Sequence, residues 1–579
     1  MTDQMTLDLG EEFDQQGPEP LGSFADAIFQ QKYAMAAVDR EIGGFTPPAN
    51  GDRETWIEAA DRVTDSVAAP YLDEETVEKI RRYIRERKFI PGGRYLYAAG
   101  RKFNQVNNCM LLSVEDSREG WADLANRATS ALMTGAGIGV DYSALRPEGA
   151  HINGLGGQST GPISLMTMVN EIGRNVMQGG SRRSAIWAGL RWDHPDVFKF
   201  IELKDWDERT KVAKAEDFNY PARMDMTNIS VILDDEFFDA YHNRNGHPIL
   251  GHPDHEWAVD VYNRVTEHMV QTGEPGFSID TGENDGETLR NACTEITTSD
   301  DNDVCNLGSI NLAKIGSLKE LIDVTEAGTA FLLAGTLYSK LPYEEVYHVR
   351  AKNRRLGLGL MGLYEWLVSR GKRYGPDEDL GEWLHWWART ADGASEVYAK
   401  RLGVSVPVKN RAIAPNGTIS IIGETTGGIE PVFASALKRR YLKGQVWHAR
   451  FIIDQSAKRL VDQGVPPEFI EDAYDLAEDV ERRVEFQHWV QQYVDHGISS
   501  TINLPAWESK SNNEGTLGHF RETLMKYLPG LRGITVYPDG ARGGQPLTPA
   551  DLEFALEQGD AEFQEYGNEH GCRDGVCGL

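Results

Sequence analysis

The sequence predicts an α/β fold. Short apolar runs of strand length recur along the chain, and between them lie stretches whose apolar residues repeat at helical spacing. The length of 579 residues allows one large enzymatic domain with appendages and a substantial buried core.

Residues 1–20 are polar, carry Gly, Pro, Gln and Glu without periodicity, and are expected to form a disordered leader. Residues 21–105 are expected to form a small helical domain. Helical patterns cover 24–29, 54–67 and 74–87, with Asp73 available as an N-cap, and Pro91-Gly92-Gly93 then signals a loop. Strands are expected at 107–112 and 135–141. Glycines in the second admit another backbone or a ligand, but their spacing is not a dinucleotide fingerprint. Leu165, Val169, Ile172 and Val176 form the seam of a helix over 163–178, which fits an internal core or a second copy of the chain equally well. Gly179 to Ser184 breaks that helix with a cationic loop suited to phosphates or to a moving gate.

Further strands are expected at 229–233 and 277–280, with helices at 234–241 and 257–271 and a turn at Gly273-Glu274-Pro275-Gly276. Helices follow at 318–341, 343–353, 366–370 and 380–402, then late strands within 500–505 and 533–540. The catalytic region is assigned to 106–555, and 556–579 is read as a flexible polar tail.

Asp and Glu number 89 against 59 Lys and Arg, a formal charge of −30. This field opposes nonspecific binding to nucleic acid and to anionic membrane, so a bound nucleotide has to be held by a local arrangement. No apolar run reaches membrane-spanning length, and the first twenty residues are not a signal sequence. A cytoplasmic location is expected. Five cysteines are too few for a secreted disulfide framework, so each calls for a packing, metal or redox explanation.

The most informative stretch is Asn291-Ala292-Cys293-Thr294-Glu295. Read as an extended loop, it sends an amide, a thiol and a carboxylate to one side. That is a kit for hydrogen-atom and proton chemistry, although a lone cysteine in a polar loop is more often structural. Cys109 lies near the beginning of an expected strand, and Cys305 follows Cys293 by twelve residues. Cys572 and Cys577 lie at the C-terminal end, where a dithiol can travel on a tether. A metal site with His570 is the rival reading, and it lacks the ligand number and spacing usual for zinc. Pro415-Asn416-Gly417-Thr418-Ile419 can cradle a phosphate or form an ordinary turn.

Together these stretches resemble the catalytic subunit of ribonucleotide reductases, and most closely the adenosylcobalamin-dependent class II, from about Phe24 to the C-terminus. The resemblance implies a ten-stranded α/β barrel with an inner finger loop. It makes Cys293 the thiyl-radical residue, Asn291 and Glu295 its polar partners, Cys109 and Cys305 the substrate-reducing pair, and Cys572 with Cys577 the shuttle to a thioredoxin-like reductant. It gives the substrate, a ribonucleotide and by preference a diphosphate, to Asn108, Gly137 and Pro415 to Ile419. Asp116, Arg146 and Arg182 fall at a site for a dNTP effector, and the helix at 163–178 becomes an element of a homodimer.

Class I relatives carry two adjacent tyrosines before the tail to relay a radical from a second subunit. Here the stretch is Thr535-Val536-Tyr537-Pro538, with one tyrosine missing, so adenosylcobalamin is expected to act directly. No Asp-x-His-x-x-Gly signature suggests a protein histidine replacing the cofactor's own base, and no protein-bound metal is expected. The region before Cys109 is too short for the ATP cone of many relatives, so overall shut-off by dATP is expected to be absent. A class I subunit and a non-catalytic nucleotide-binding regulator remain the alternatives.

Overall fold

The computed structural model describes residues 20–36, 53–153, 156–176, 184–217, 220–242, 255–282, 286–443, 446–540, 547–558 and 563–564. Its centre is a ten-stranded sheet. Strands β1 (Phe89–Pro91), β2 (Cys109–Ser113) and β3 (Gly137–Asp141) come first, then a small hairpin of β4 (His151–Ile152) and β5 (Gly157–Gln158) that stands apart from this sheet. β6 (Ile186–Arg191), β7 (Thr227–Asp234) and β8 (Gly276–Asp280) follow. β2, β3, β6, β7 and β8 pair in parallel in that order. Helices in the connections carry the chain back, as a parallel sheet requires.

The chain next forms a short hairpin of β9 (Leu289–Arg290) and β10 (Thr297–Thr298), then β11 (Asp303–Asn311) and β12 (Leu356–Met361). β11 runs antiparallel to β2 and parallel to β12, while β1 pairs antiparallel with β11. Single bridges from Leu358 to Arg411 and from Ile413 to Ile498 carry the pairing onward from β12. Three residues past Ile498 begins β15 (Thr501–Leu504), which lies parallel to β16 (Gly533–Pro538), and β16 meets β8 antiparallel. The ring is therefore closed from two parallel halves joined at antiparallel seams, the barrel that the family resemblance implied.

A second, four-stranded sheet joins β13 (Ala436–Lys443) and β14 (Val446–Ile453) to β17 (Leu547–Pro549) and β18 (Phe563–Gln564). It is absent from the expectations, as is the β4–β5 hairpin. Among the described residues no helix is long and apolar enough to cross a membrane.

Alternation along the strands sorts side chains between two cores. Met110 and Leu112 point outward into a cluster with the surrounding helices, whereas Leu111 points into the barrel against Leu289 and Ile296 of the β9–β10 hairpin. Cys305 and Leu307 share that inner cluster. The helices Ser23–Lys32, Trp56–Val67 and Glu74–Arg85 form as expected, and the side chain of Asp73 accepts from the amide of Thr76. They share one apolar core with β1, β12 and the long helix Leu318–Tyr338: Phe29, Trp56, Ile80, Phe89, Phe331 and Leu358 belong to a single cluster. Each such side chain contributes roughly 1.5–3 kcal/mol on burial. The helix expected at 163–178 is Gly161–Asn175, and Leu165 and Val169 of its seam are spent on the barrel's own outer core.

Candidate active site

The hairpin of β9 and β10 projects into the barrel, and Asn291 to Ile296 form its tip. The expectation of an extended loop is corrected here. The amide of Thr294 donates to the carbonyl of Asn291 at 3.0 Å, and Thr294 has φ of +67°, so the tip is a tight turn. A left-handed conformation is costly for a β-branched residue, and no glycine in the stretch announces it. The turn also sends only two of the three side chains into the cavity. Cys293 and Glu295 line the central cavity, whereas Asn291 is fully buried behind them. Its Oδ1 accepts from the amide of Ile296 at 2.9 Å, and its Nδ2 donates to the Cys109 sulfur at 3.4 Å.

The stem of this finger is held from both sides. A Cβ added to Gly139 on β3 would stand 1.7 Å from the carbonyl oxygen of Arg290, so the finger backbone rests directly on that strand. The Arg290 guanidinium donates to the Ile279 carbonyl at 2.7 Å; burial lowers its pKa to about 10, which leaves it cationic at neutral pH. On the other side, Nδ1 of the buried His496 accepts from the amide of Thr297 at 3.2 Å, and the amide of Gly497 donates to the Glu295 carbonyl at 2.7 Å. Burial, followed by the charges of Arg355, Lys409, Arg411 and Arg290, holds His496 well below its ordinary pKa, so it stays neutral.

A cavity of about 760 Å³ opens above the finger. Asn108, Cys109, Gly137, Cys293 and Glu295 line it, as do Pro415, Asn416, Gly417, Thr418 and Ile419. Glu295 is 1% exposed, and its Oε2 has no hydrogen-bond partner among the described residues. Burial raises its pKa to about 7, against a smaller opposing effect of the hydrogen bond with Asn291. A carboxylate in that state can exchange a proton near neutral pH.

Cys305 sits directly opposite Cys109 in the β2–β11 register but does not line the cavity. Cys109 therefore presents its sulfur to a ligand, with Cys305 behind it. Burial, then the neighbouring Glu295, Cys109 and Asp303, pushes the Cys305 thiol well above its ordinary pKa and keeps it protonated. Neither cysteine, nor Cys293, is in a disulfide.

Pro415 to Ile419 wrap the start of the helix Gly417–Gly423, whose N-cap Asn416 has φ of +57°. The Asn416 Oδ1 accepts from the Ser309 hydroxyl at 3.0 Å. Thr418 shares a hydrogen bond with the hydroxyl of Tyr33. Lys32, Tyr33, Arg94 and Tyr97 also line the cavity and were not among the expected site residues. Tyr33 meets Thr418 from 385 positions away, a separation no local pattern reveals.

Asp116 and Arg146 come together away from this cavity, with Arg146 Nε 2.8 Å from Asp116 Oδ2 and both partly exposed. Asp116 precedes by two residues the helix Arg118–Thr134, which packs on the helix Gly161–Asn175. Arg182, Cys572 and Cys577, with His570, lie outside the described residues.

Comparison with known proteins identifies the barrel. The family described as ribonucleotide reductase, barrel domain, matches residues 107–381 and 409–537. A vitamin B12-dependent ribonucleoside-diphosphate reductase of Mycobacterium tuberculosis is 29% identical over 88% of this chain and 80% of its own length. One of the same description from Thermoplasma acidophilum is 27% identical over 80% of this chain and 65% of its own. A crystal structure of a B12-dependent (class II) ribonucleotide reductase superposes with a TM-score of 0.67 at 15% identity, covering 93% of this chain and 95% of that one, which establishes the likeness of fold.

Proposed function

The chain belongs to the ribonucleotide reductase family through its barrel domain, and we propose that it reduces ribonucleoside diphosphates to 2′-deoxyribonucleotides by thiyl-radical chemistry that depends on adenosylcobalamin. One observation carries this reading. Cys293, the buried carboxyl of Glu295 and the Cys109 thiol backed by Cys305 converge on one cavity.

The residues present fit the cofactor. The cavity opens over Cys293, and its lining includes Phe103 and Met133, 49% and 64% exposed, whose apolar surface suits a macrocycle. Arg101 and Lys102 beside them supply donors for peripheral amides and a phosphodiester. When bound, adenosylcobalamin supplies the oxidising equivalent by homolysis of its cobalt–carbon bond.

Hydroxide is a poor leaving group, and the chain's residues divide the task of removing it. Cys293 as a thiyl takes the hydrogen atom from C3′, and Glu295 accepts the 3′-hydroxyl proton. Cys109 gives a proton to the departing 2′-hydroxyl, which leaves as water. The Cys109/Cys305 pair then supplies the second thiol proton and the two electrons that place a hydrogen on C2′ and ends as a disulfide, Glu295 returns its proton to the 3′ oxygen, and Cys293 returns its hydrogen to C3′. Asn291 steadies both the finger turn and the Cys109 sulfur through the bonds described above. Asn108 and Gly137 border the sugar, and Pro415 to Ile419 take the phosphates.

Cys572 and Cys577 pass electrons from a thioredoxin-like reductant to the spent disulfide. Asp116 and Arg146, with Arg182, hold a dNTP effector that tunes substrate choice. The chain pairs as a homodimer through the neighbouring helices Arg118–Thr134 and Gly161–Asn175, a reading supported by the half-exposed Met168 on the second of them. The location is cytoplasmic.

The test is anaerobic incubation of the isolated chain with adenosylcobalamin, CDP and a dithiol. Deoxy-CDP is expected to form, and Cys293→Ala is expected to abolish it while nucleotide binding remains. Activity that appears only with a second protein would make the chain a class I subunit. Nucleotide binding without turnover under either condition would make it a regulator.

A further inference from the structure

In a chain with a formal charge of −30, the cavity lining inverts the sign: among the described residues it carries Lys32, Arg94, Arg101 and Lys102 against a single acid, Glu295. All four cations come from the helical segment that precedes the barrel. Two of them are engaged away from the phosphate loop. Arg94 donates to the carbonyls of Gln105 and Thr134 at 2.9 and 2.8 Å, and Arg101 stacks on Tyr97 at 4.5 Å. Lys32 differs, because it ends the helix Ser23–Lys32, which packs against the helix Gly417–Gly423.

That packing is fastened at both ends. The amide of Gly22 donates to Oε1 of Glu424 at 3.1 Å, and Oε2 of the same carboxylate lies 3.1 Å from the buried guanidinium of Arg87. At the other end the Tyr33 hydroxyl bonds Thr418, and the ring of Tyr33 passes so near Gly93 that a Cβ there would sit 2.8 Å from the phenolic oxygen. Beside Thr418, Gly417 lines the cavity, and a Cβ there would meet nothing within 4 Å.

We propose that Lys32 and Tyr33 read the terminal phosphate of the nucleoside diphosphate, so that the N-terminal helix, rather than the barrel, sets how many phosphates the substrate carries. This rests on the ribonucleotide reading above and names the group that selects within it. A lysine ammonium is a compact charge with three donors, suited to the more highly charged terminal phosphate. Tyr33 fixes the Thr418 hydroxyl beside it. A monophosphate, held by the loop alone, gains nothing from Lys32.

Equilibrium dialysis of CDP, CMP and cytidine against the full chain tests this without turnover or cofactor. The unaltered chain is expected to bind CDP about tenfold more tightly than CMP, the ratio of one good charge-assisted contact. Lys32→Met is expected to weaken CDP about tenfold and leave CMP within twofold, and Lys32→Arg to restore CDP. Tyr33→Phe keeps the ring beside Gly93 and is expected to narrow the CDP:CMP ratio in the same direction. Equal loss of CDP and CMP, or unchanged CDP binding, in both Lys32→Met and Tyr33→Phe overturns the assignment. A chain that binds none of the three ligands contradicts the ribonucleotide reading itself.

Discussion

Cys109 and Cys305 face each other across the antiparallel seam where β2 meets β11, as direct partners in the register. Opposed residues in such a pair have Cα atoms about 4.5–5.5 Å apart, inside the roughly 4.4–6.8 Å span of disulfides, so this pair can oxidise without rearranging the barrel. In a chain whose Cys572 and Cys577 are replaced by serine, a pre-reduced sample without external dithiol is expected to yield about one deoxynucleotide per site. Peptide mapping after quenching is expected to find a Cys109–Cys305 disulfide in equal amount. Product without that bond removes the pair from the reaction.

Glu295 is the group whose titration shapes the pH profile. Its pKa, raised by burial from 4.5 to about 7, makes kcat/KM rise with pH to a plateau above that value. Glu295→Gln is expected to lose that limb and about 10²–10⁴ in rate. Stability runs the other way. Because the folded pKa lies above the unfolded one, the neutral form favours folding below pH 4.5, and that contribution is lost as pH climbs towards 7. Glu295→Gln is therefore expected to exceed the parent in stability by about 1–3 kcal/mol at pH 8 and to match it near pH 4, as read by urea unfolding.

The finger stem predicts a paired result. Gly139→Ala drives a methyl into the Arg290 carbonyl and is expected to cost about 1–3 kcal/mol and most activity, because the strand behind it cannot yield. His496→Leu leaves the buried amide of Thr297 without its acceptor, at about 1–3 kcal/mol. His496→Asn offers an oxygen near the position of Nδ1 and is expected to recover most of that loss. Thermal unfolding of the three variants alongside the parent decides the matter, and an asparagine no better than leucine would show that the hydrogen bond does not hold the stem.

The strands and helices that carry the site were largely legible. Short apolar runs marked β2, β3, β7 and β8, and the cysteines marked where chemistry was to be sought. What escaped was set by distant contacts. The bridges that close the ring at Leu358–Arg411 and Ile413–Ile498 are single residues in segments too short to read as strands. The β13–β14 hairpin passes through Lys438-Arg439-Arg440, a charge run that resembles a solvated surface. The turn at Thr294 is stabilised by Asn291 rather than announced by a glycine, so the tip looked extended. Lys32 and Tyr33 gave no local signal, since their meaning depends on a loop near residue 418.

The seam between β8 and β16 has a bearing on how the protein is made. Ser278 pairs with Gly533, so this wall of the chamber is delivered only after the 255 residues that separate the two positions have been made. Pairings of such separation close slowly, after the local helices have formed. Until then the thiol of Cys293 and the carboxyl of Glu295 stand in water. The nascent polypeptide thus has no enclosed place in which to shelter a reactive sulfur, and competence for radical chemistry arrives as one of the final events of folding.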